Sequence, residues 1–250
     1  MNAYPTVAGP GLDQDTNLAR LLQELQARHN NAICCTLVYG SCLRSGDIYD
    51  GLLDLYLICD DYRAAYQRRL PAAANWLLPP NVFYAEMPGE ENTLRSKVTV
   101  ISLRDFKRGC SPAWFESYIW GRFAQPTHIL YSRDAHVRAE VEGALLQAAR
   151  TLLLNALPAL PQQGTVTDLW QQALGLSYST ELRTERSGRA QELGESSRVF
   201  YSLLTRYDGV SLGLHFAVYD ESDALLFKTR VSKIQRWMAA LKWSLRRGQG

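Results

Sequence analysis

Gly40, Ser41 and Asp54, an adjacent pair followed thirteen positions later by a single aspartate, are the residues of this chain best spaced for chemistry. They lie in the stretch LVYGSCLRSGDIYDGLLDLYLICDD, from Leu37 to Asp61, where the Gly-Ser pair follows one apolar strand and Asp54 opens another. A small residue at a strand end lets the backbone approach a phosphate, and the amides at the start of a following helix can donate to it. A carboxylate fixed on the first residues of a buried strand can hold a divalent metal. Nucleotidyl transfer requires this combination: the triphosphate must be neutralised, an attacking oxygen aligned with the α-phosphorus, and charge on the departing pyrophosphate stabilised. Such sites usually carry two aspartates one residue apart. Here Leu52 and Tyr56 stand on either side of Asp54, so this strand offers one carboxylate. A Gly-Ser turn and an edge aspartate also occur in α/β proteins for structural reasons alone.

The elements that must position these residues follow from pattern. Helical spacing of Leu18, Leu21, Leu22 and Leu25 behind Thr16 predicts a helix ending near Asn30 and Asn31. Strands are expected at Ala32 to Tyr39, Leu53 to Cys59, Val82 to Glu86 and Lys97 to Ser102, with a helix over Tyr62 to Leu70 and a break at Pro79-Pro80. The second half changes character. Long helical periodicity runs from Ala135 to Ala156 before Pro158 and Pro161, Thr165 to Asp168 resembles a capping box, and further helices are expected at Ser196 to Tyr207 and at the end of the chain. A small mixed sheet with helices is thus followed by a helical part, with a boundary near Asp134.

Composition is that of an ordinary globular protein, 46% apolar and 21% charged. The net charge of +2 does not point to a nucleic-acid partner. The five cysteines include no CxxC pair and sit mostly in apolar context, as reduced core residues of a cytosolic protein would. The four histidines are scattered without metal-ligand spacing. No apolar run reaches the roughly 20 residues a membrane helix needs. The N-terminus shows neither a basic n-region nor an Arg-rich presequence.

Four blocks in order carry a resemblance: the Tyr39-Gly40-Ser41 motif, SKVTVIS at Ser96 to Ser102, WFESYIWGRFAQP at Trp114 to Pro126, and GLSYSTELR at Gly175 to Arg183. Together they resemble the mitochondrial-type phosphatidate cytidylyltransferases, the translocator assembly and maintenance proteins. That family has YGSG, KYGVIS, W..LY.aGR.qKP and GLSYsgD.R segments, and the missing presequence leans toward a bacterial member. The resemblance implies an α/β fold, with a nucleotidyltransferase-type mixed sheet over 1–134 and a helical, winged-helix-like domain over 135–230. It also implies synthesis of CDP-diacylglycerol from CTP and phosphatidic acid with Mg²⁺, by a peripheral membrane protein.

Carried over by position, Gly40 and Ser41 would hold the triphosphate, Asp54 the metal, and Lys97 and Arg122 the charge that develops in transfer. Tyr178, Arg183 and Arg189 would serve the acceptor, with Glu185 paired to Arg189 at a four-residue spacing. Lys97 interrupts an apolar strand, which favours a site role. Arg122 and Arg183 fit a surface ion pair equally well, and Ser177 and Tyr178 fit a helix cap and core. The chain departs from the family at Cys110-Ser111, which replaces an Asp-Leu pair, so Asp105 is the candidate second metal ligand. It departs again at Gln125, where the family has lysine, and after Asp60-Asp61, where a segment with tryptophan and histidines is shortened.

From Val231 onward the chain has five basic residues and no acidic ones. Ile234, Trp237, Met238, Leu241 and Leu245 fall on one helical face, and Trp243 falls on the polar side. A basic amphipathic helix over 231–250 is expected to lie on an anionic membrane surface, at the inner leaflet of the cell membrane; the alternative is a helix docked on the second domain with its basic edge in water. The expected function is Mg²⁺-dependent phosphatidate cytidylyl transfer. The alternatives are nucleotidyl transfer to a soluble phosphorylated acceptor, or a non-catalytic membrane-bound interaction module.

Overall fold

The computed structural model describes residues 4–5, 11–66, 80–180, 197–208, 212, 214–219 and 224–249. The chain divides into two compact units, one of Thr6–Arg108 with Pro126–Gly143, the other of Met1–Pro5, Gly109–Gln125 and Ala144–Gly250.

The first unit is a five-stranded mixed sheet with helices. Helix α1 (Thr16–Arg28) starts at Asp15, whose carboxylate accepts from the Leu18 amide and so satisfies an orphan donor. It ends before Asn30 and Asn31, both at φ 56°. Strand β1 (Ile33–Tyr39) is followed by the short helix α2 (Ser41–Ser45), strand β2 (Leu53–Cys59) and helix α3 (Tyr62–Ala65). Helix α3 ends four residues in, at an extended Tyr66. The rest of the helix expected over Tyr62 to Leu70, and Pro79, lie outside the described residues. Strands β3 (Asn81–Pro88) and β4 (Thr93–Ser102) each run longer than their β-branched cores suggest, because they pair with one another along most of their lengths. Helix α4 (Leu103–Gly109) follows, and after the short helix α5 (Trp120–Phe123) of the other unit comes strand β5 (Thr127–Ser132).

The strand order is β3-β4-β2-β1-β5, with β2 and β4 parallel and the other neighbours antiparallel. Strands β1 and β2 are apolar on both faces and take interior places, while β3, half exposed along its length, takes an edge. Alternation sorts the side chains. Leu53, Leu55, Leu57, Val98, Val100 and Val38 face the core built with Leu18, Leu21 and Leu25 of α1, where each fully buried Leu or Val contributes about 1.5–3 kcal/mol. Asp54, Tyr56, Lys97 and Thr99 therefore point to the opposite face. Strand β5 has no counterpart among the expected strands. It is a six-residue edge strand whose partial burial comes from pairing with β1.

Helix α6 (Ala135–Ala156) matches the periodicity, and the division between the units falls inside it. The second unit continues with β6 (Gln163–Thr165), α7 (Val166–Tyr178), α8 (Arg198–Asp208), β7 (His215–Tyr219), β8 (Ala224–Lys228) and α9 (Lys233–Gln249). The capping box holds, since the Thr165 hydroxyl accepts from the Asp168 amide. The core of this unit includes Trp170 stacked on Tyr201 at 4.6 Å, with the indole N–H donating to Thr205. Besides the helices expected here, this unit carries a three-stranded sheet, β6-β8-β7, whose strands the periodicity does not mark. Its strands are three to five residues long, and β6 (Gln-Gly-Thr) has no strand signal apart from its partner β8.

Candidate active site

Strand β1 ends where Gly40 adopts φ 97°, ψ −154°, a conformation open to glycine and strained for other residues. The side-chain space is also taken: a Cβ on Gly40 would lie 2.9 Å from Asp54 Oδ2. The close approach follows from pairing, because Tyr39 is the antiparallel register partner of Asp54. Gly40 is thus a hydrogen-faced cradle against the carboxylate. Ser41, exposed, begins α2.

The loop from α2 back to β2 is tied to this turn by Cys42, a residue expected only to fill the core. Cys42 is buried, with its thiol 3.4 Å from Leu52 O and 3.7 Å from Asp50 O. Burial first, and then neighbours that include the Asp54 charge, push that thiol's pKa up, so it stays protonated and can donate to the loop. Cys34, Cys35, Cys59 and Cys110 are likewise free and buried.

Asp54 is joined by Lys97. The two are register partners on the parallel strands β2 and β4, half-buried, with side chains on one face and backbones about 5 Å apart. The row extends across the sheet, since Tyr84 is paired with Lys97 and Thr127 with Tyr39. Beneath it Tyr56 and Thr99 are buried, and Tyr39 meets Tyr56 edge-on at 5.8 Å. Tyr56 therefore occupies the position of a second carboxylate as a packed core ring.

Asp105 is not brought to this row. Its Oδ2 accepts from the hydroxyls of Tyr62 and Ser102, each at 2.9 Å, and its Oδ1 lies 3.6 Å from Arg104 Nε. Ser102 pairs with Cys59, five residues along the parallel strands from the Lys97–Asp54 level, or about 16 Å. Burial above all pushes the Tyr62 phenol's pKa up, so it remains a donor. The structure thus places Asp105, the candidate second metal ligand, at the far end of the sheet from Asp54, where its carboxylate accepts from two hydroxyls. Among the described residues no group of three or more His, Cys, Asp and Glu could hold a metal.

Arg122 and Tyr178 belong to the second unit, where the Trp114–Gln125 and Gly175–Thr180 segments pack on one another. A Cβ on Gly121 would overlap Ser177 Oγ, so the glycine is required by close packing. Ser117 and Thr180 share a short hydroxyl hydrogen bond, and Thr180 also donates to Ser177 O. Arg122 and Tyr178, both half-buried, directly follow the two residues in closest contact. Arg183, Glu185 and Arg189 lie outside the described residues.

Helix α9 is amphipathic as expected, with an unexpected docking face. Trp243, assigned to the polar side, is only 2% exposed; its indole N–H donates to Asn155 O at 3.0 Å and its ring meets Trp120. Arg246 is buried beside it, donating to Phe115 O and Asn155 Oδ1, with Phe115, Trp120 and Trp243 ring centroids 4.9–5.1 Å from the guanidinium. Burial lowers its pKa. The helix thus docks through Trp243 and Arg246, while Ile234, Trp237 (67% exposed), Met238, Leu241 and Leu245 face outward. Among the described residues no helix is long and apolar enough to cross a membrane.

The first unit's site is therefore a carboxylate and an ammonium on neighbouring strands beside a Gly-Ser turn, an arrangement able to receive a metal-bound polyphosphate. Residues 73–192 match the family model described as "Phosphatidate cytidylyltransferase, mitochondrial". Over that segment, a little under half of the chain, the resemblance drawn from the motifs is borne out. Lys97, Arg122, Tyr178, Arg183 and Arg189 fall inside it, and Gly40, Ser41 and Asp54 precede it. No curated protein matches the chain.

Proposed function

We propose that this chain is a phosphatidate cytidylyltransferase, which transfers CMP from CTP to phosphatidic acid and releases pyrophosphate. A phosphate oxygen of the acceptor attacks the α-phosphorus of CTP, the bond to the bridging oxygen breaks, and CDP-diacylglycerol forms. The reading is supported above all by Lys97: it lies in the segment that matches the family, and it pairs in register with Asp54.

The residues at the turn fit a Mg²⁺ ion that arrives with its nucleotide. Mg²⁺ commonly takes one or two carboxylates and completes its shell with phosphates and water. Asp54 would supply the carboxylate, and Gly40, lacking a Cβ, leaves Oδ2 approachable. When bound, the ion would offset triphosphate charge. The backbone at Gly40 and the Ser41 hydroxyl would donate to the β- and γ-phosphates. Lys97 would meet charge growing on the transferred and leaving oxygens; the family resemblance gives the same role to Arg122, and the acceptor phosphate to Tyr178, Arg183 and Arg189, the arginines by forked hydrogen bonds. An acceptor that is already anionic needs no strong general base.

The outward apolar stripe of α9, flanked by Lys233, Arg236, Lys242 and Arg247, suits peripheral attachment to an anionic leaflet such as the inner face of the cell membrane. The β6-β8-β7 sheet with α7 and α8 suits a winged-helix-like second domain. Asp54→Asn is nearly isosteric and is expected to abolish CTP-dependent pyrophosphate release with the melting temperature little changed. Retention of most activity by this variant would remove the assignment.

A further inference from the structure

Tyr84 stands on the edge strand β3 at the level of the candidate site. It is the register partner of Lys97, which is the register partner of Asp54, so the three side chains follow one another across three strands on one face. The face is fixed by alternation, because Phe83 and Ala85 on either side of Tyr84 pack against the core with Val98 and Leu55. Two inter-strand spacings separate Tyr84 from Asp54, about 10 Å. The buried part of this face ends before Tyr84 is reached. Tyr56 and Thr99 are covered, Asp54 and Lys97 are half-covered, and Tyr84 is 54% exposed, with Val82 exposed next to it on the same face.

An exposed aromatic ring on an edge strand normally has rotational freedom, but this one is held at both ends. Its backbone is paired with β4, and its hydroxyl donates to Glu86 Oε2 at 2.9 Å. That hydrogen bond, ahead of burial, pushes the phenol's pKa up and keeps the donor in place. Glu86 in turn pairs in register with Arg95. The ring is thus a fixed surface beyond the ammonium, on the side away from the Gly-Ser turn.

We propose that Tyr84 is the platform on which the nucleobase of the bound triphosphate stacks. The inference rests on the triphosphate reading of the Gly40–Asp54–Lys97 site and adds to it the direction in which the nucleotide lies. Phosphates occupy the Gly40–Asp54 end, Lys97 sits beneath the junction, and the base reaches the edge strand. Every base has a π-face, so the platform supplies affinity for a nucleoside triphosphate over a bare polyphosphate and does not by itself select cytosine.

The test is calorimetric titration of full-length wild-type, Tyr84→Ala and Tyr84→Phe protein with Mg·CTP and, separately, Mg·tripolyphosphate. The wild type is expected to bind both, CTP more tightly. Tyr84→Ala is expected to bind Mg·CTP roughly 10-fold to 100-fold more weakly while its affinity for tripolyphosphate is unchanged. Tyr84→Phe, which keeps the ring, should stay within about threefold of wild type. The platform is overturned if Tyr84→Ala binds Mg·CTP like wild type, or loses both ligands equally, while wild type binds them; the triphosphate reading then stands. Failure of wild type to bind either ligand overturns that reading and the platform with it.

Discussion

Replacing Gly40 by alanine separates two effects that usually arrive together, backbone strain and the filling of a site. At φ 97° an alanine is strained, and its Cβ would also sit 2.9 Å from Asp54 Oδ2, a separation that real Cβ atoms do not tolerate. Gly51 supplies the control. Its φ is 99°, but nothing lies within 4 Å of the place a methyl group would take there. Strain in this region costs about 1–3 kcal/mol, which for a protein of this length lowers the melting temperature by about 2–4 °C per kcal/mol. Both variants should therefore melt roughly 2–12 °C below wild type. Only Gly40→Ala should also lose Mg·CTP binding, because its methyl pushes on the carboxylate proposed to meet the metal. Thermal denaturation and calorimetry on the two variants at matched temperature decide the matter. Equal loss of nucleotide binding in Gly51→Ala, or full binding by Gly40→Ala, would refute the reasoning.

The close Gly121–Ser177 contact predicts that Gly121→Ala costs about 1–3 kcal/mol through overpacking, and that Ser177→Gly in the same chain restores much of it, as a double-mutant cycle by urea denaturation would measure. Trp243→Ala should cost about 3–5 kcal/mol, whereas Trp237→Glu, on the outward face of α9, should change stability by less than about 0.5 kcal/mol yet abolish sedimentation with anionic vesicles. The reverse pattern would mean that α9 docks by its other face. His29 is buried with Nδ1 3.2 Å from Ala65 O and Nε2 without a partner among the described residues, and burial first pushes its pKa below 6.5. The unfolded chain then binds more protons between the lowered value and 6.5, so stability falls as pH drops below about 6.5, by at most about 1.4 kcal/mol per pH unit. His29→Leu should flatten that part of the pH profile in chemical denaturation, and a profile unchanged from wild type would count against it.

Strand β2 is legible from sequence to the residue, because an apolar run bounded by Gly51 and Asp60-Asp61 leaves little choice of ends. Gly40 and Asp54 are legible for a similar local reason: a strand that stops at a glycine and returns as an apolar strand brings its flanks together. The partnership of Asp54 with Lys97 is not, since it depends on a parallel pairing across forty-three residues whose register no local pattern encodes. The surroundings of Asp105 are not legible either. Its acid suits a ligand, but the hydroxyls of Tyr62 and Ser102, set by tertiary packing, claim it. In α9 the periodicity identifies two faces correctly and cannot say which one docks. That choice is made by Asn155 and Trp120, which offer an acceptor and a ring to Trp243 and leave the larger apolar stripe outside. The strands β6, β7 and β8 are too short to carry a period of their own.

Purified full-length protein incubated with Mg²⁺, phosphatidic acid in mixed micelles, and each of the four nucleoside triphosphates in turn would test the proposed reaction. Pyrophosphate and any lipid-soluble nucleotide product would be measured together. The proposal predicts equal amounts of both with CTP, dependent on the lipid, and little of either with the other triphosphates. Mg·CTP binding without pyrophosphate release in the presence of phosphatidic acid would contradict it.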